Sequence, residues 1–342
     1  MGVIKNSDSP WSSPIVPVGK PDGDLRLCVD YRRLNDVTVD DAYPLPRIDE
    51  MLAKLAGSKF FSCLDMVAGY HQIEVAPADR PKTAFIVETG IYEYIRMPFG
   101  LKTAPATYQR MMASCLAEFV NRGCLLVYLD DIIIHSATES QHLKDLEEVL
   151  QTIEREKLKL KPSKCQIFAS EVKFLGHRVD RNGVSPLPAK LDSVRNWAPP
   201  TNATELQSFL GFCNFYRWFV PGFAEASDLL YKATKADPFH WDPELEVKFQ
   251  ALKLLMISSS VLALPDPKKE FFLQTDASQT GIGAVLMQTH NDHLQPIEFF
   301  SRTLSQTERR YATYERELLA VYRACEHFKV YLLFKLIHLC LQ

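Results

Sequence analysis

The sequence predicts a mixed α/β protein, more strictly α+β, built as three successive blocks. Three observations carry that reading. Short strand-like apolar runs around turn signals fill residues 10–50 and 60–98. Helical spacing of apolar residues takes over from residue 139 and again from residue 202. Proline-rich breaks at 186–200 and 262–270 then divide the chain into 1–185, 186–260 and 261–342: a mixed α/β block, a small helical block and a second, truncated α/β block.

The first strands are "PIVPVGK" and "DLRLCVDYRRL", joined by the turn "KPDG". "FFSCLD" reads as a third, and "TAFIVETGIYEYIRM" as a hairpin turning at Thr89-Gly90. A helix is expected from Ala104 to Asn121, with Pro105 in its first turn and Gly123 just past its end. Residues 139–160 place Leu143, Leu146, Leu150 and Ile153 on one helical face, stopping at Pro162. In the helix 203–219, Asn202 and Glu205 have capping-box spacing. Its apolar face is Leu206, Phe209, Cys213 and Tyr216, and Pro221-Gly222 ends it. "FFLQTDASQTGIGAVLMQ" reads as two strands around a Gly-rich turn, followed by a helix from about Thr307 to Tyr331.

Composition narrows the function classes. With 342 residues, 46% apolar and 24% charged, the chain is globular and long enough for two or three cored domains. A net charge of −3 supplies no global basic footprint for nucleic acid, so any such surface is local. Lys157, Lys159, Lys161 and Lys164 form one basic cluster, and Arg26, Arg32 and Arg33 another. Either alone is the pattern of a solvated face. Eight scattered cysteines without a CxxC pair exclude a zinc framework or a secreted disulfide scaffold and fit a reducing compartment. "MGVIKNSDSPW" has no apolar signal-peptide run. "VYLLFKLIHLCLQ" is too short for a membrane span and reads as core-packing structure.

The chemistry centres on "CLLVYLDDIIIHS". Asp130 and Asp131 lie between two continuous apolar runs, the pattern of a hairpin packed within a larger sheet. Adjacent strand residues point to opposite faces, so the two carboxylates converge only if a turn re-aims one. Aspartate is also a common turn residue, and a lone Asp-Asp would mean no more than that. A third carboxylate changes the balance. Asp65, at the end of "FFSCLD", is the candidate. Three carboxylates on neighbouring strand ends suit Mg²⁺, which takes few protein carboxylates and completes its shell with substrate phosphates. Two such ions clamp the oxygens of a phosphoryl displacement.

The motifs "SPWSSPIVPV", "LRLCVDYRRLN", "YPLPRIDEMLAKL", "FSCLDMVAGYHQI", "KTAFIVETGIYEYIRMPFGLKTAPATYQRMM", "YLDDIIIHS" and "FLGHRVDRNGV" occur in that order. Together they resemble the reverse transcriptase of gypsy-class LTR retrotransposons and the retroviral Pol lineage, over nearly the whole chain. The resemblance implies a right-hand polymerase fold, with fingers and palm over 1–185 and a thumb-like region over 186–260. It implies RNA-directed DNA polymerase activity dependent on Mg²⁺, with Mn²⁺ as a substitute. Asp65, Asp130 and Asp131 match the family's catalytic metal-binding aspartates. Tyr70 matches the aromatic under the incoming sugar, which excludes ribonucleotides sterically. Arg26 and, more loosely, Lys20 match triphosphate contacts, and Phe99 lines the nucleotide site. Arg32 matches a template contact. Phe174, Leu175, Gly176 and His177 match the primer grip. The expected partners are an RNA template, a DNA primer or RNA–DNA hybrid, dNTPs and other Pol segments, without a membrane. The expected setting is the cytoplasm, in virus-like particles, and the nucleus.

The third block resembles a retroelement RNase H domain, with Asp276 and Glu317 as two of its metal-binding carboxylates. The family's next motif, Thr-Asp-His, does not follow before "FKLIHLCLQ". The expectation is therefore an incomplete, inactive RNase H, loosely folded over 261–342 with an unpaired sheet edge. The competing reading of the whole chain is a catalytically dead or co-opted retroelement remnant that binds RNA–DNA hybrid.

Overall fold

The computed structural model describes residues 2–19, 25–266, 268–290, 292–333, 335 and 337–341. The chain forms two compact units, Met1–Arg47 with Lys59–Ala169, and Ile48–Ser58 with Ser170–Gln342.

The first unit is organised by a four-stranded antiparallel sheet. Its order is Leu125–Tyr128, Asp131–Ser136, Phe60–Asp65, Gln166–Ala169. Both apolar runs flanking the Asp pair are buried along their length, as continuous apolar runs require. Leu125, Val127, Ile132 and Ile134 share one core with Tyr108 and Met112 from the helix Ala104–Cys115, and with Val149 and Ile153 from the helix Glu139–Arg155. Each such side chain stabilises by about 1.5–3 kcal/mol. Strands Ile15–Gly19 and Leu25–Val29 pair as expected. A separate sheet joins Ile4–Asn6, Gly90–Tyr94 and Phe85–Val87.

Three expectations shift here. Val87 pairs with Gly90, so the hairpin turns at Glu88-Thr89, one residue earlier than read. The helix expected to reach Asn121 breaks at Leu116 into Ala104–Cys115 and Ala117–Arg122. The helix expected over 139–160 ends at Arg155 and buries His142, Asp145, Leu146, Val149, Thr152 and Ile153, while Leu143 and Leu150 face out. The face is rotated because its polar residues have partners inside. His142 Nε2 meets Ser62 Oγ at 2.8 Å, Ser136 Oγ donates to Asp145 Oδ2 at 3.2 Å, and Arg122 Nη2 donates to Asp145 Oδ1 at 2.6 Å.

The second unit holds a three-stranded meander, Glu171–Phe174, His177–Asp180 and Gly183–Pro186. The helix expected over 203–219 ends at Phe215, with Tyr216 just past its end and Arg217–Phe219 a separate tight turn, while Leu206, Phe209 and Cys213 are buried as their spacing predicts. Asn202 Oδ1 accepts from the Glu205 amide at 2.9 Å, while Glu205 reaches back to Thr201 instead of Asn202. A second sheet runs His293–Thr303, Gly281–His290, Phe271–Ala277, Ile337–Leu341. The strand His293–Thr303 was not read from sequence. It carries Pro296 at a register shift, where a missing ladder donor is tolerated. The expected helix from Thr307 resolves into Glu308–Arg310, Thr313–His327 and Lys329–Leu332. The expectation of a loose 261–342 block is corrected. Ile337–Leu341 pairs in parallel along Phe271–Ala277, and Phe271, Leu273, Leu286, Ile297 and Phe328 close a core. Among the described residues no helix is long and apolar enough to cross a membrane.

Candidate active site

The Asp-Asp hairpin answers its own geometric question. Tyr128 pairs with Asp131, which leaves Leu129 and Asp130 as a two-residue turn. Leu129 sits at φ +51°, a left-handed conformation costly for a bulky L residue. The turn lifts Asp130 out of strand alternation. Asp131 pairs directly with Asp65 across the antiparallel ladder, so these two side chains share one face. Gln109, buried in the helix Ala104–Cys115, braces the turn: its Nε2 donates to the Val127 carbonyl at 3.0 Å and its Oε1 accepts from the Leu129 amide at 2.7 Å.

The electrostatics are those of a site short of positive charge. Burial raises the Asp130 pKa, with a further push from Asp65 and opposing pulls from the Tyr108 hydroxyl and Lys164. Burial also raises that of Asp131, reinforced by Asp130 and Asp65. Asp130 Oδ1 is buried without a well-formed hydrogen bond. Lys164 Nζ lies 3.7 Å from Asp65 Oδ2. Gly69 is a spatial necessity, since a Cβ there would stand 2.0 Å from Asp130 Oδ1.

The three carboxylates converge on the end of the sheet without forming a closed cage. Among the described residues no group of three or more His, Cys, Asp or Glu is disposed to hold a metal ion by itself. The residues still fit a hard cation. Asp65 and Asp131 face one another, Asp130 offers a buried unpartnered oxygen, and Mg²⁺ needs only one or two protein carboxylates beside substrate phosphates.

Tyr70 stands beside this cluster in the turn Gly69–Gln72. Its ring lies 5.0 Å from Phe99 and 5.5 Å, edge-on, from Tyr108. Gly100, at φ +92°, turns the chain after Phe99, and Asn35 fastens that turn by donating to the Gly100 carbonyl at 2.8 Å and accepting from the Lys102 amide at 2.8 Å. The structure thus assembles Tyr70, Phe99, Asp65, Asp130 and Asp131 within one unit. Sequence reading missed Gln109, Tyr108 and Gly69. A polar residue on the buried side of "ATYQRMM" was the available signal for Gln109.

The remaining candidates divide. Lys20 and the side chain of Arg26 lie outside the described residues, although the Arg26 backbone pairs with Val18. Arg32 is largely exposed and held in a fork by Asp30, whose carboxyl is pulled down to about 2 by that hydrogen bonding. The side chains of Phe174 and His177 are buried, and the turn Leu175-Gly176 between them is half-exposed. Leu175 and Gly176 adopt φ +49° and +81°, and Tyr216 Oη donates to the Gly176 carbonyl at 2.9 Å. In the second sheet, Asp276 and Glu225 line a cavity of about 250 Å³, with Gln274 and Ser301. Glu317, on the helix Thr313–His327, is not among the residues lining it.

Comparison with known proteins fits this frame. Residues 18–179 match the family described as reverse transcriptase (RNA-dependent DNA polymerase), and 241–339 match the RNase H-like domain found in reverse transcriptase. The foamy viral protease-reverse transcriptase in complex with dsDNA superposes with TM-score 0.91 at 26% identity, over 99% of this chain and 71% of that one. The same viral enzyme in complex with an RNA/DNA hybrid gives 0.84 at 26% identity, over 99% and 46%. These findings define the class: a fingers, palm and thumb reverse transcriptase fold with an RNase H-like domain. The retrovirus-related Pol polyprotein from transposon 297 of Drosophila melanogaster is 43% identical over 97% of this chain and 32% of its own length. The Tf2-3 transposon polyprotein of Schizosaccharomyces pombe is 36% identical over 97% and 25%. The chain belongs to the reverse transcriptase/RNase H region of gypsy-like retrotransposon Pol polyproteins, and it spans about a third or less of the length of these two relatives.

Proposed function

We propose that this chain carries the nucleotidyl-transfer centre of an RNA-directed DNA polymerase, with Asp65, Asp130 and Asp131 as its cation ligands. The observation that supports it best is the direct Asp65–Asp131 pairing beside a buried, unpartnered Asp130 oxygen. Mg²⁺ held there would neutralise the triphosphate and activate the primer 3′-hydroxyl as a nucleophile. The chain's own part is positioning. The Leu129 turn and Gln109 hold Asp130 at the sheet's end, and the ladder holds Asp65 and Asp131 on one face. Lys164 must yield Asp65 as the cation enters. The Tyr70 ring, backed by Phe99 and Tyr108, forms a wall against a sugar 2′-hydroxyl.

The substrates on this reading are an RNA template, a DNA primer and dNTPs. Residues 1–185 act as fingers and palm, 186–260 as thumb and 261–342 as the RNase H-like domain. No cleavage chemistry is assigned to Asp276 and Glu317: Glu317 does not line the cavity that Asp276 shares with Glu225, and among the described residues neither belongs to a metal-binding group of three. One rival reading is a protein that binds RNA–DNA hybrid without extending it. Primer extension on an RNA template separates the two: product that requires Mg²⁺ supports the polymerase, and hybrid binding without product supports the rival.

A further inference from the structure

The Tyr108 hydroxyl lies close enough to pull on the Asp130 carboxyl but is not in well-formed hydrogen-bond geometry with it. The Tyr108 side chain is fully buried among Met97, Met112, Val127 and Ile132, a setting that a phenyl ring would fill equally well. The hydroxyl oxygen is buried and makes no well-formed hydrogen bond. Asp130 Oδ1 is in the same condition. Leaving a buried polar atom unsatisfied costs about 1–3 kcal/mol, so two such atoms side by side call for an explanation. Both close on Gly69, where a Cβ would come 2.0 Å from Asp130 Oδ1 and 2.8 Å from Tyr108 Oη. The hydroxyl therefore faces the carboxylate across a gap that only glycine leaves open.

We propose that Tyr108 is a positioning residue: its hydroxyl donates to Asp130 Oδ1 once a cation is bound, and so holds Oδ2 toward that cation. The inference rests on the cation reading of Asp65, Asp130 and Asp131. Hydrogen bonds at such sites are commonly long or misaligned in the free protein and tighten when the site is filled. The ring also touches Tyr70 edge-on, so the residue that orients the carboxylate backs the wall beside the sugar.

The test uses the full chain, without nucleic acid or nucleotide, and Mn²⁺ as the probe. Free Mn²⁺ is followed by electron paramagnetic resonance in a titration of the parent and of Tyr108→Phe. Losing one charge-assisted hydrogen bond predicts Mn²⁺ affinity lower by about tenfold. Thermal melting of Tyr108→Phe without metal is expected to be unchanged or higher, because an unsatisfied hydroxyl is removed. Affinity within twofold of the parent overturns the proposal while leaving the cation site standing. A lower metal-free melting temperature together with weaker binding overturns it in favour of a structural role. A parent that binds no Mn²⁺ overturns the cation reading itself and this inference with it.

Discussion

Leu129 holds a left-handed backbone that costs a non-glycine residue about 1–3 kcal/mol, and Gln109 is the side chain that sustains it. Gln109→Leu keeps the volume but leaves the Val127 carbonyl and the Leu129 amide without their partner. Stability to denaturant is expected to fall by about 2 kcal/mol. Extension is expected to fall by more than the unfolded fraction explains, because Asp130 is no longer aimed. Unchanged extension in Gln109→Leu would remove the brace from the mechanism. The role proposed for Tyr70 is tested separately. Tyr70→Val opens space beside the sugar and is expected to admit ribonucleotides, with modest loss of deoxynucleotide use. A soft apolar wall rejects an added hydroxyl only weakly, so strong exclusion needs the rigid ring. If single-nucleotide incorporation shows ribonucleotides still excluded, the gate lies elsewhere, with Phe99 the next candidate.

The hairpin Glu171–Phe174/His177–Asp180 places His177 among Phe215, Tyr216, Trp218 and Phe219, with ring centroids 5.2–5.6 Å away. Burial pushes its pKa down to about 4, against a smaller opposing pull from the Leu175 backbone. The unfolded chain takes up this proton near pH 6.5 and the folded one only near 4, so stability falls as pH drops through that window and is flat above it. The loss amounts to about 3 kcal/mol at pH 4. His177→Phe is expected to remove this part of the pH dependence, read as the difference between the two melting profiles from pH 7 to 4. Parallel profiles would show that the imidazole is not held neutral. Such elements also mark where sequence stops being informative. The helix Ala203–Phe215 was legible because its apolar spacing and Asn202 cap act locally. The inward face of Glu139–Arg155 was not, because His142 and Asp145 are buried by partners 80 and 23 residues away. Helix breaks at Leu116 and Phe328 and the strand around Pro296 likewise depend on tertiary packing that periodicity does not record.

Across the molecule, the polymerase-like constellation lies within a single compact unit, so its geometry depends on one core. The three aspartates and Tyr70 were readable from motif order; their aim was not, because it depends on a strained turn and a glutamine from another element. The second unit carries a four-stranded sheet with Ile337–Leu341 as one edge strand, and among its described residues no group of three carboxylates forms around Asp276 or Glu317. The proposed function therefore rests on the site at Asp130. Primer extension on an RNA template, run beside hybrid binding for the parent and Asp130→Asn, measures this directly. Phosphate contacts elsewhere carry most of the affinity for a duplex, so binding is expected to stay within a few-fold while Mg²⁺-dependent extension becomes undetectable. Extension by Asp130→Asn at a rate near that of the parent would contradict the assignment of the carboxylates as cation ligands.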